Sequence, residues 1–95
     1  MFVILHLLFY HSKNNNLGIQ IGTRIRYFFN KIVEKVKKER KKRKISQLML
    51  ASILGHKSPN YIAKIETRKH GANYNLAHLY QISKEFGIDI KDLMP

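Results

Sequence analysis

The chain has 95 residues, 44% of them hydrophobic, which suffices for one small domain with a compact core and argues against a large catalytic cleft. Lys and Arg total 18 against 6 acidic residues, and the formal charge of +12 predicts an anionic partner, nucleic acid before an acidic membrane surface. With no cysteine, a disulfide framework, a thiolate zinc site and a cysteine nucleophile are excluded together.

The chain opens on Met1 to Tyr10, nearly all apolar with His6 interrupting. Ten residues cannot span a bilayer, which takes about 20, and neither the basic flank nor the small-residue cleavage site of a secretory signal is present. The segment reads as an apolar arm: a strand or helix covering an interface or the core, a marginal segment, a weak membrane contact or a misplaced translation start. Lys13 and the run Asn14, Asn15, Asn16 read as a polar linker, so residues 1–20 form an arm and linker ahead of a domain over 21–95.

From Ile21 the apolar residues Ile25, Phe28, Phe29, Ile32, Val33 and Val36 recur at spacings of three and four, predicting one long helix from about Gly22 to Arg43 with a break possible near Asn30. Positive charge peaks within it: residues 31–44 carry nine basic side chains against two acidic. Such a run is a solvated helix face, a basic arm or a localisation signal, and its meaning depends on the elements that it adjoins.

Ser46 is placed to cap a short helix with Leu50, Ala51 and Leu54 inward, and Gly55 supplies a left-handed stop. Ser58 can cap again, with Pro59 at the first helical position and Ile62 and Ile65 inward. Two short helices around a glycine turn, within 46–67, make a helix-turn-helix candidate. After a loop from Arg68 to Tyr74, Asn75 caps a further helix with Leu79, Ile82 and Phe86 inward and Gly87 as terminator. Asp89 then caps a last helical turn over Ile90 and Leu93. The expected fold is all-α, with five helices, an elongated first helix and the apolar N-terminal arm.

The ordered set Val36, Arg40, Ile45-Ser46-Gln47, Leu50-Ala51, Leu54-Gly55, Ile62, Ile65-Glu66, Leu79, Ile82, Phe86-Gly87-Ile88 and Leu93 resembles the Xre-like helix-turn-helix domain of phage repressor and Cro proteins. The resemblance covers about Lys31 to Met94. It departs from the commonest pattern in one extra turn residue between Gly55 and Ile62, in Thr67 and Arg68 where a glycine follows the glutamate, and in a longer loop before the next helix. It implies a structural ion pair between Arg40 and Glu66 and a DNA-backbone contact from Gln47. The alternative is that these are ordinary exposed polar residues.

Helical spacing itself puts Asn60 and Lys64 one turn apart, opposite Ile62 and Ile65, so both would project into a major groove. Asn suits the N6 and N7 edge of adenine, Lys suits guanine O6 and N7, and Pro59 offers an apolar contact such as a thymine methyl. Lys57, Ser58 and Tyr61, flanking the start of that helix, and Thr67, Arg68 and Lys69 after its end, are the candidate phosphate contacts.

Enzymatic chemistry finds no purchase. The histidines His6, His11, His56, His70 and His78 are scattered, Gly18 and Gly22 lack the strand and helix of a dinucleotide site, and no paired acids share a plausible cleft. No catalytic residue, metal or cofactor is expected. The sequence reads as a cytoplasmic, sequence-specific binder of double-stranded DNA, a repressor-type regulator of transcription acting as a homodimer. The alternatives are an antitoxin-like partner holding another protein through the arm and long helix, and a basic membrane-surface protein.

Overall fold

The computed structural model describes residues 16–95, with side chains from residue 21 onward. The arm Met1 to Tyr10 and the part of the expected linker through Asn15 lie outside the described residues, and the rest of that linker, residues 16–20, is helical. Among the described residues there are four α-helices and no strand: α1 (Asn16–Lys42), α2 (Gln47–Ile53), α3 (Asn60–Glu66) and α4 (Leu76–Phe86). Two 3-10 turns, Lys69–Gly71 and Ile90–Leu93, complete them. The expected fifth helix is the second of these turns. Asp89 caps it, its side chain accepting from the Lys91 amide at 3.1 Å, but only a few residues follow before the chain turns extended at Met94, too few to develop α-helical hydrogen bonding.

α1 begins at Asn16, six residues ahead of the expected Gly22, and passes Asn30 without a break. Its 27 residues make a rod of about 40 Å, and among the described residues it is the second half that enters the core. There Ile32, Val33 and Val36 join Leu50, Ala51, Leu54, Ile62, Ile65, Leu79, Ile82, Phe86 and Leu93 in a single core. α2 packs against α3 and α4, α1 against α3 and the last turn, and α4 closes on that turn. Lys44, at φ 58°, turns the chain out of α1 without the glycine that such a conformation favours.

The capping residues have the geometry that their chemistry requires. Ser46 Oγ accepts from the Met49 amide at 3.0 Å, and Asn75 Oδ1 accepts from the His78 amide at 2.7 Å. Gly55 at φ 85° and Gly87 at φ 69° adopt the left-handed conformation that ends α2 and α4. Tyr74, within the expected loop before α4, is instead a core residue.

Candidate nucleic-acid interface

The site is built on the α2–α3 pair. Ala51 is fully buried where the two helices meet, and the His56 amide donates back to the Ala51 carbonyl at 2.8 Å, closing the turn after Gly55. Ser58 Oγ then accepts from the Asn60 amide at 3.1 Å, while Pro59 already has helical angles (φ −71°, ψ −10°). These contacts set where α3 starts. Burial of Ile62 and Ile65 sets its rotation, leaving Asn60 and Lys64 exposed on the other side. Asn60, Ala63, Lys64, Thr67 and Lys69 border one shallow concavity of about 290 Å³, with no carboxylate in its lining.

The far end of α3 is tied down by charge. Arg40 Nε donates to Glu66 Oε2 at 2.7 Å and Nη2 to Oε1 at 3.0 Å, a bidentate pair linking α1 to α3. The side chains are only 8% and 2% exposed. Arg40 Nη1 also donates to the Ile45 carbonyl at 2.7 Å, so one guanidinium fixes both α3 and the turn into α2. Gln47 Nε2 donates to Glu66 Oε1 at 2.8 Å, so the side chain expected at a phosphate is directed inward onto the ion pair.

The other expected phosphate contacts divide into two groups. Lys57, Ser58 and Lys69 are exposed around the α3 face. Thr67, Tyr61 and Arg68 are committed elsewhere. Thr67 has one hydroxyl hydrogen, and its Oγ1 lies 3.0 Å and 3.2 Å from the Ala63 and Lys64 carbonyls, so that donor is taken up by the helix end. Tyr61 is half-buried, its ring stacked on His56 at 3.9 Å and its Oη 3.1 Å from His78 Nδ1. Burial pushes its phenol above the usual tyrosine range.

Arg68 departs most from the sequence expectation. At φ 57° it turns back toward α1, where Nε donates to Asn30 Oδ1 at 2.7 Å and Nη1 to the Ala72 carbonyl and Asn73 Oδ1. It is a staple between α1 and the loop after α3. Helical periodicity carries no trace of it, because its partners lie 38 residues upstream in α1 as well as in the loop itself.

Helical periodicity also gives no sign of the cluster that His56, Tyr61 and His78 form. The two imidazoles, far apart in sequence, have centroids 6.1 Å apart across Tyr61. Burial first, and the neighbouring His56 second, hold His78 below the ordinary histidine range. A local signal did exist: Asn75 and His78 stand at the spacing of a capping box, and His78 Nδ1 does face the Asn75 amide at 3.5 Å.

A glycine turn between two short helices, a buried ion pair holding the second of them, and a basic, carboxylate-free face on that helix together define a helix-turn-helix domain. The chain belongs to the helix-turn-helix domain family, which it matches over residues 33–95. No curated protein matches the sequence. Among solved structures, it is similar to the hydroxypropylphosphonic acid epoxidase from S. wedmorenis, at 29% identity and a TM-score of 0.60, over 72% of this chain and 35% of that one. It is also similar to HppE with cobalt(II) and substrate, at 30% identity and a TM-score of 0.59, over 70% of this chain and 36% of that one. The chain thus spans about a third of the length of the structures it matches.

Proposed function

We propose that this chain is an Xre-like, sequence-specific regulator of transcription, of repressor type, that lays α3 in the major groove of double-stranded DNA. The observation that carries the reading is the pair Asn60 and Lys64, exposed one turn apart opposite Ile62 and Ile65 on a face without carboxylates. Asn60 would read an adenine edge, Lys64 a guanine, and Pro59 would give an apolar contact. Lys57, Ser58 and Lys69 would hold flanking phosphates. Gln47 retains one amide hydrogen for a phosphate while bound to Glu66, and Tyr61 and Thr67 would act by fixing α3 rather than by donating.

The regulator acts as a two-fold homodimer joined through the first half of α1. Ile21, Ile25 and Phe28 remain exposed there, and exposed apolar patches of this kind mark interfaces. One recognition helix also reads only about three or four base pairs, so a second copy doubles the site. Arg24 and Arg26 beside that stripe favour a second reading, in which it holds a more acidic protein in the manner of an antitoxin.

The epoxidase activity is not carried over from a likeness spanning about a third of that chain. With scattered histidines and no phosphate-binding glycine loop, the chain is read as non-enzymatic, cofactor-free and cytoplasmic. No described helix is long and apolar enough to cross a membrane.

The test is to select bound sequences from a random duplex pool and then measure Asn60→Ala and Lys64→Ala on the selected site. Each should lose about 1 to 3 kcal/mol and relax preference at one base position. Equal losses on random duplex would remove both residues from base readout.

A further inference from the structure

The first half of α1 and the loop after α3 enclose a cleft of about 450 Å³ that base readout does not use. Ile25 and Phe29 form its apolar part, and Arg26, Asn30, Arg68 and Asn73 its polar part. Two arginines therefore line one cleft, and no carboxylate does. The nearest acid along α1, Glu34, lies 3.5 Å from Lys31 and is occupied there.

The two arginines differ in state. Arg68 is immobilised by Asn30, Ala72 and Asn73 through Nε and Nη1, which leaves Nη2 without a partner among the described residues. Its guanidinium also lies over the Phe29 ring, 6.0 Å from the centroid. Arg26 is exposed and makes no hydrogen bond or ion pair among the described residues. A pre-positioned guanidinium, a second one free to close, and an apolar wall that lowers the local dielectric are the components of an oxyanion clamp. The planar arginine fork matches phosphate oxygens better than a point charge does.

We propose that this cleft binds a phosphate group, shared between Arg68 Nη2 and Arg26. Two sources present that chemistry: the DNA backbone flanking the sequence under α3, and a free phosphate or phosphate ester. The first rests on the DNA-binding reading above, because the loop that holds Arg68 follows α3 directly and carries exposed Lys69. In that case the long α1 extends the footprint beyond the helix-turn-helix itself.

Two measurements on the full chain and on Arg26→Ala separate the outcomes. Because Arg26 is exposed and unbonded, the substitution leaves the fold intact, which thermal unfolding checks. The first measurement is affinity against salt on a selected duplex and on one trimmed of its flanks. Each lost phosphate contact lowers the slope of log affinity against log salt by about 0.9. The second is inorganic phosphate titrated while the Nε–Hε resonance of Arg68 is followed.

A slope lowered by about one contact on the long duplex alone assigns the cleft to the DNA backbone. An unchanged slope with a saturable Arg68 shift, lost in Arg26→Ala, assigns it to a small phosphorylated ligand. If no duplex binds the wild type but phosphate still saturates, the DNA reading falls and the cleft stands. If the slope is unchanged and no saturable Arg68 shift appears, the proposal is overturned.

Discussion

The two halves of α1 carry the same kinds of side chain at the same helical spacing and meet opposite fates. Ile32, Val33 and Val36 lie in the core, whereas Ile25 is 51% and Phe28 43% exposed. The difference is not in the helix but in what faces it: α3 and the last turn cover the second half, whereas Ile21, Ile25 and Phe28 stay outside the core and remain exposed. Apolar periodicity thus specifies a face, and only the tertiary fold decides whether that face is spent within the chain or left for a partner.

The contrast is broken most severely at the point where α1 is tied by charge. Arg40→Met leaves Glu66 with Gln47 alone, a carboxylate 2% exposed without its cation. Removing one member of such a pair is expected to cost about 3 to 5 kcal/mol in chemical unfolding. The double variant Arg40→Met with Glu66→Leu should recover much of that loss, since the stranded charge is gone. A double variant no better than the single would mean that packing of the arginine stem, rather than its charge, holds α1 to α3.

The next largest effect separates the two halves directly. Ile62→Ala, at a fully buried position, should cost about 2 to 5 kcal/mol, while Ile25→Ala should leave unfolding nearly unchanged at protein concentrations where the chain is monomeric. Phe28→Asp should likewise spare the fold but lower the mass seen by light scattering from dimer to monomer. A dimer unaffected by Phe28→Asp would move the interface away from α1. Phe29 is the poorer probe, because it is partly buried against the core and lies under Arg68.

The same contrast explains which features are legible in the sequence. Ser46, Asn75, Asp89, Gly55 and Gly87 act on their own neighbours, so their residue types announce the helix ends. The inward stripes of α2, α3 and α4 emerge from periodicity. What escapes is non-local or without a periodic signature: Tyr74 buried from a loop, Arg68 reaching Asn30, and His56 meeting His78 across Tyr61. Gln47 shows the limit for the site. Its position at the start of α2 is readable, but the direction of its amide depends on Glu66, 19 residues away.

The smallest expected effect concerns His78, which joins the start of α4 to Tyr61 on α3. Its Nδ1 faces the Asn75 amide at 3.5 Å and Tyr61 Oη at 3.1 Å, and an imidazole nitrogen that accepts from an amide must carry a lone pair. Burial and His56 hold its pKa below the ordinary 6.5, so the folded protein keeps the neutral ring at pH values where the unfolded chain binds a proton. The unfolded state then binds more protons, and stability rises with pH through that window. This contribution is fully present above the ordinary histidine range and is lost as pH falls through the lowered folded value. Thermal unfolding between about pH 7 and about pH 5 should therefore show a fall in Tm, smaller than that caused by Arg40→Met. His78→Gln retains an acceptor at the capping-box position without a titrating group and should flatten the dependence. If His78→Gln keeps the wild-type slope, the acid sensitivity belongs to other groups and the Tyr61 to His78 contact contributes only packing.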